Sequence, residues 1–526
     1  LAATFVAGLA VSATPSFAVT PADQLIIGMS MNNVLTLDPA AISGRETTAI
    51  ICNLYDTLIE LDPVERQKIN PGLAESWSIA GDGTITFVMR KGAVFGSGNP
   101  VTADDVVWSI KRNIALGLVG AGVWESFGFN GKNIDGLLKA DGDKVVISMP
   151  GPTDPTLIVD IFGKPDAAAV LDKQTVLAHE VNGDKGAAWL TTNVAGSGAF
   201  KLVSWTARDV LIMQRADKHW AGPAGMKRVI YRHMPESQTK RLMLAQRDLD
   251  VAWALSVPDI KALQADPAIK VQPTPSAGFY YIAASMRDEN FKNKDVRLAL
   301  RYLIDYKGIN DTIMPFYGVT HLRPIGPGVM GSLPNPDYKL DPERAKKYLA
   351  SAGLPDGFST EILALNEAPY IDLATSIQGT LAQGGIKAKI ITGTGNQIYG
   401  PMRDRKFQLV VGRGGGGQEP HPHSNLRALV INPDNSDKAG LTGIIGWRTS
   451  FFSQELNDMA QTALVERDPK KQAQLYGDIQ TKYEELVPAL QPISAVVDTD
   501  VFRENVVGYQ THYGWTTRLR GVTKTK

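Results

Sequence analysis

Gly83-Thr-Ile-Thr-Phe-Val-Met-Arg-Lys-Gly92-Ala-Val-Phe95, followed by Pro100-Val-Thr-Ala-Asp-Asp-Val-Val-Trp108, sets a strand directly before a helix. The turn Gly81-Asp-Gly83 releases a β-branched run, Thr84 to Met89, that reads as a strand. At Thr102-Ala-Asp-Asp105 the Thr hydroxyl can accept from a first-turn amide while Asp105 reaches back, which starts a helix whose inward face is Val106, Val107 and Ile110. The same punctuation recurs. Asp341-Pro342 opens a helix with Ala345, Tyr348 and Leu349 inward and Gly353 as its left-handed stop; Asp468-Pro469 opens another, with Leu475, Ile479, Tyr483 and Leu486 at helical spacing. Strand and helix signals alternate along the chain, so the expected class is α/β.

The chain has 526 residues, 44% of them hydrophobic and 21% charged, enough for a large core and at least two domains. Lys and Arg balance Asp and Glu at 54 each, which leaves no electrostatic footprint for nucleic acid or an anionic membrane. Residues 1–18 are uncharged and apolar and end in Ser16-Phe17-Ala18, a pattern expected of a secretory signal whose basic start is missing. No other uninterrupted apolar run reaches the roughly 20 residues of a membrane span. Cys52, the single cysteine, sits in an apolar helical pattern and reads as a packed small hydrophobe; export without disulfides suits a bacterial periplasm. Two β-rich runs, Gly278 to Ser285 and Pro488 to Val497, mark candidate crossings between domains. Two separated crossings return the carboxy-terminal segment to the first domain and make a hinge.

Three segments, Asn70-Pro-Gly-Leu-Ala-Glu-Ser-Trp77 and the two quoted above, resemble the signature region of the large periplasmic solute-binding proteins of ABC importers. The peptide/nickel/opine class, which includes the dipeptide- and oligopeptide-binding proteins, is the most similar. Gly196-Ser-Gly198-Ala-Phe-Lys-Leu-Val-Ser-Trp205, Asp295 to Leu300 and Leu340 to Leu349 extend the resemblance along nearly all of the chain after residue 18. It implies a two-lobed Venus-flytrap fold with an extra subdomain in the first lobe. The expected layout is a signal at 1–18, lobe I at 19–281 with a subdomain at about 40–190, lobe II at 282–493, and a return to lobe I at 494–526. It also implies a periplasmic monomer without cofactor or catalysis, taking a small organic solute between its lobes and passing it to a membrane permease.

The expected site centres on Leu409-Val-Val-Gly-Arg413-Gly-Gly-Gly-Gly-Gln418-Glu-Pro-His421-Pro-His423-Ser-Asn425, a buried-looking strand running into four glycines and a polar turn. Glycines let a backbone approach a ligand at positive φ, and polar strand ends are where open α/β sheets bind. In dipeptide-binding relatives an aspartate in this loop holds the ligand ammonium; here Gly416 falls at that position among Gly414, Gly415 and Gly417. An arginine for the ligand carboxylate would fall near Asn366 and Glu367, which replace it. Both departures argue against an ordinary dipeptide and favour an anionic or polar solute, with Arg413 as the two-pronged carboxylate reader. Arg45 is a first-lobe partner candidate; Trp124 and Phe127 could stack on an organic ligand; Trp447, Arg448, Tyr399, Gln418 and Asn425 complete the candidate set. His421 and His423 are candidate metal ligands, so uptake of a metal chelate is the second reading. No Gly-Lys-Ser/Thr follows the glycine run, and neither a Gly-x-Ser-x-Gly elbow nor a His-Glu-x-x-His helix occurs.

Overall fold

A computed structural model describes residues 20–66 and 68–525. The signal-like segment 1–18 lies outside the described residues. Two lobes are joined by one mixed eleven-stranded sheet. Its order runs from Lys387–Gly393 through Ser359–Leu365 and Leu409–Gly414 to the long strands Ile269–Ala284 and Leu490–Arg503. It continues through Val251–Trp253, Gln24–Met29, Arg228–His233 and Val210–Arg215 to Phe200–Thr206, with Gly318–Thr320 also pairing on Leu490–Arg503.

The two long strands are the crossings. They pair antiparallel from Ile269 opposite Arg503 to Pro275 opposite Val497, lose register, and resume at Phe279 opposite Ala495. Pro273 and Pro275 cannot donate to a ladder, which weakens pairing just before the shift. Gly278 follows at φ +88°, and a Cβ there would stand 2.8 Å from the carbonyl oxygen of Gly414. Only glycine fits that approach. Beyond it, Phe279 to Ala284 take Leu409–Gly414 as their other neighbour, while Val501 and Phe502 pair with Val251–Trp253. One strand pair thus belongs to both half-sheets, and its register break lies where they meet.

Within the first lobe, Ala74–Ile79, Ile85–Met89, Lys144–Ile147 and Leu138–Asp141 form a separate four-stranded antiparallel sheet. Helix Ala103–Leu116 packs on it, started by the reciprocal Thr102/Asp105 box and stopped by Gly117 in the left-handed region. Buried Arg112 ties this helix to the rest of the lobe through a two-pronged contact to Asp38 at 2.6 and 3.1 Å. The carboxy-terminal segment is pinned back on the first lobe by Arg520, whose fork grips Glu60 at 2.6 and 2.7 Å, and by the Leu519 amide, which donates to Asn53. Cys52 is buried against Thr517, and burial pushes its thiol up to about 12. It is a packed, unreactive thiol.

Candidate functional site

Asp498 and Asp500 lie on the second crossing strand and collect charge from both lobes. Arg45 opens helix Arg45–Leu54 of the first lobe; its Nη2 donates to Asp500 at 2.6 Å, its Nη1 lies 3.8 Å from Asp498, and its guanidinium sits 4.3 Å from the Trp253 ring centroid. Arg413 reaches the same Asp498 from the second lobe, Nη2 to Oδ1 at 3.3 Å, between the rings of Tyr280 and Trp515 at 5.8 and 6.0 Å. Burial works against these charges, yet the aspartates hold both guanidinium groups above their ordinary range. Asp498, also hydrogen-bonded by Ser276, is held below the usual carboxylate range by the two arginines. The Arg413 amide donates to the Tyr399 hydroxyl at 3.3 Å, so Tyr399 orients the strand end that carries the arginine.

The glycine run has a packing explanation. Gly415, Gly416 and Gly417 all have positive φ, and their backbone is bound to the following helix, Pro422–Leu429: the Asn425 side chain donates to Gly415 O at 2.7 Å and the Gly417 amide to Ser424 Oγ at 2.9 Å. A Cβ on Gly416 would stand 2.4 Å from Ser424 O. The glycines therefore let the loop lie on its own helix, which accounts for their positive φ by packing. Asn425, whose Oδ1 accepts from the Gly326 amide, is a loop brace.

The turn after the glycines faces the first lobe. Lys164 Nζ lies 2.9 Å from Glu419, His421 Nε2 lies 3.5 Å from Asp154, and Arg427 contacts Ser126 and rests 4.8 Å from the Phe127 ring. Burial opposes the charge on Glu419, but Lys164 and Arg427 pull it well below the usual range; Asp154, against its own burial, falls to about 2 through nearby His421 and the hydrogen bonds it accepts from Thr156. Glu419 also accepts from the Ser424 hydroxyl that braces the glycine loop. The contacts between the lobes and the loop geometry are one network.

Other expected residues sit elsewhere. Trp124 is fully buried, donates to Ala167 O at 2.9 Å and packs edge-on against Phe129 and Phe162; it is a subdomain core residue and offers no face to a solute. Trp447 is likewise buried, bonded to Ser436 O and covered by Arg405 at 4.5 Å. Arg448 donates to Thr442 O and lies near Tyr281 and Tyr399. Asn366 and Glu367 are exposed beyond the strand Ser359–Leu365. His421 caps its own helix by accepting from the His423 amide, and burial pushes His423 down to about 3. No group of three or more His, Cys, Asp or Glu suited to a metal occurs among the described residues.

Sequence reading missed Asp498, Asp500, Trp515 and Lys164. Asp498-Thr-Asp500 was visible as two acids inside an otherwise apolar strand, a costly placement unless cations meet them. Trp515, at φ +71°, and Lys164 carried no such signal.

Two α/β lobes joined by paired strands, with opposed charged groups where they meet, define a periplasmic-binding-protein fold. The chain belongs to the bacterial extracellular solute-binding proteins, family 5, whose model matches residues 68–437. It is 27% identical over 486 residues to the dipeptide-binding protein of Escherichia coli K12, covering 89% of this chain and 88% of that one. Among solved structures, a dipeptide-binding protein from Pseudoalteromonas sp. SM9913 in complex with Met-Leu superposes with a TM-score of 0.82 at 21% identity, over 95% of this chain and all (100%) of the other. The solute-binding protein MoaA of A. tumefaciens R10, in complex with mannopinic acid, gives 0.79 at 19% identity, over 96% and 100%. The protein is thus the periplasmic, non-catalytic solute-binding component of an ABC importer for peptides or related solutes. No helix among the described residues is long and apolar enough to cross a membrane.

Proposed function

We propose that the protein captures an organic solute bearing an acidic group, of the kind found in opine-like conjugates, modified peptides or sugar carboxylates, with Arg413 as its anchor. The observation that carries this reading is the state of Arg413: 26% exposed, flanked by two aromatic rings, and joined to Asp498 by one long contact of 3.3 Å. A guanidinium presents five donors in a fixed fork, more than its contact to Asp498 uses, and Arg413 is partly exposed. Asp498 keeps that cation paired until a solute anion takes over the contact. Arg45, bound at 2.6 Å to Asp500, holds the aspartate pair in place from the other lobe. The ammonium position of a peptide reader is closed at Gly416, which disfavours an ordinary dipeptide.

In this reading the lobes are 19–281 and 282–493 with 494–526 returning to the first, and a monomer delivers the solute to its membrane permease. Solute that contacts both lobes selects the closed arrangement. The test starts with the molecule retained by protein purified from its native host, identified by mass spectrometry and titrated back. Arg413→Ala should weaken its binding by about 1.5–3 kcal/mol, the range for a hydrogen bond to a charged group. Arg413→Lys should fall between, because it keeps the charge and loses the fork. Unchanged affinity in Arg413→Ala, with an unaltered melting temperature, sinks the carboxylate role.

A further inference from the structure

One short stretch of the subdomain meets the second lobe at both its ends. Asp154 caps helix Pro155–Ile161 and lies 3.5 Å from His421 Nε2; Lys164, before the next helix, Pro165–Ala168, lies 2.9 Å from Glu419. In sequence between them stands Asp160, only 6% exposed. Its carboxylate has no hydrogen bond and no ion pair among the described residues. We propose that Asp160 is a proton-binding site completed by lobe closure: the protein closes with a proton taken up from solvent, and withholding that proton weakens the closed state.

The groups around Asp160 supply no counter-charge. On its own segment Asp154 repels it, and Lys164 is taken by Glu419, with Asp166 drawing on the same ammonium. From the second lobe Glu419 repels it; His421 is turned to Asp154, Arg427 contacts Ser126, and burial pushes His423 down to about 3. From the returning segment comes Tyr513, whose hydroxyl donates to Arg66 O, while the Arg66 guanidinium lies 4.8 Å from the Tyr513 ring and donates to Pro275 O. A buried carboxylate facing two others is costly when ionised, and one proton on a carboxylate oxygen removes the cost. Burial, Glu419 and Asp154 together raise the Asp160 carboxyl well above its ordinary 3.8. Glu419 belongs to the second lobe, so parting the lobes takes that charge away and the proton returns to solvent. The group holds its proton more tightly closed than open. Its contribution to closure is therefore complete at low pH and is lost as pH rises through the raised closed-state value, by up to about tenfold per pH unit in the closing equilibrium. That window lies above 3.8, clear of the lower one in which Asp154 titrates.

The test uses no solute, so its outcome is separate from the role of Arg413. Dyes are attached through Lys132→Cys in the subdomain and Lys438→Cys in the second lobe, both exposed positions, while buried Cys52 stays unlabelled. Single-molecule energy transfer on the full chain then gives the ratio of closed to open molecules from about pH 8 to about pH 5, with Asp160 intact, with Asp160→Asn and with Asp160→Leu. With Asp160 intact the ratio should rise at least about tenfold on acidification. Both variants are neutral at every pH; at about pH 8 their ratio should exceed that of the intact protein at least about fivefold, and it should change less than about threefold across the range. His421 is unchanged in all three, so any titration it adds is common to them. A flat ratio with Asp160 intact, a rise of equal size in the variants, or a gain confined to Asp160→Asn while Asp160→Leu melts as the intact protein does, overturns the proton site. If one variant melts early, the other decides by the same comparison.

Discussion

At the residue scale, Gly416 is the position where local geometry speaks most directly about specificity. With φ at +68° and Ser424 O only 2.4 Å from an added Cβ, the backbone there cannot carry a side chain without moving the loop off its helix. Gly416→Asp should therefore cost about 2–4 kcal/mol in urea unfolding and confer no dipeptide binding by calorimetry. A stable Gly416→Asp variant that acquires dipeptide binding would show that the loop has an alternative course. His512 makes a second prediction. Burial, with Arg518 adding, pushes it from an ordinary 6.5 down to about 4. A depressed histidine disfavours the proton in the folded state, so its contribution is complete above about pH 6.5 and is lost as pH falls toward 4. The full loss amounts to about 3 kcal/mol. Urea unfolding of wild type and His512→Gln across that window should differ in slope, wild type falling more steeply; parallel curves would remove His512 from the acid response.

At the scale of elements, local signals act where a single segment decides its own conformation. Thr102 accepts from the Asp105 amide and Asp105 from the Thr102 amide at 2.9 Å, and this box alone starts helix Ala103–Leu116. Thr102→Ala should cost about 1 kcal/mol by chemical denaturation and leave solute affinity unchanged, since the helix meets no residue of the Arg413 cluster. The helices after Asp341 and Asp468 begin where their Asp-Pro signals place them, at Pro342 and Pro469. The crossing strands are different. The β-rich run beginning at Gly278 was legible, but Ile269 to Ala277, which precede it in the same strand, were not, because Pro273 and Pro275 obscure the alternation of a strand. Tertiary pairing with Leu490–Arg503 overrides that weak local preference.

For the whole molecule, closure is governed by contacts that span the lobes. Lys164 and Glu419 are nearly removed from solvent, at 11% and 1% exposure. Opening would return both to water; closing buries Glu419 whether or not its partner is present. Lys164→Met should thus disfavour closure by about 2 kcal/mol or more, seen as faster solute dissociation in stopped flow and a larger radius of gyration in solution scattering. Its unfolding free energy should change less than its affinity. Equal dissociation rates in variant and wild type would remove the pair from the closing mechanism. Asp154 beside His421 adds an acid limit: held near 2 when closed, its contribution is present above its ordinary value of 3.8 and fades as pH falls from there toward 2.

The sequence by itself determined the α/β class, the helix starts, the packed role of Cys52 and, through its resemblance, the two-lobed family. These depend on periodicity, caps and turns, which act over a few residues, or on motifs carried along the chain. It also singled out Arg413 and Arg45. Only the tertiary structure decided what those arginines meet, because Asp498 lies 85 positions from one and far from the other in sequence and is brought to both by a strand that belongs to two half-sheets. The same holds for Trp124. Its aromatic ring is as suited to stacking on a solute as to filling a core, and only the positions of Phe129 and Phe162 settle which surface it covers. The glycine run shows the physical reason most plainly: positive φ was readable from four glycines, but whether the freed space holds a ligand or a helix depends on Ser424 and Leu429 folding back over it.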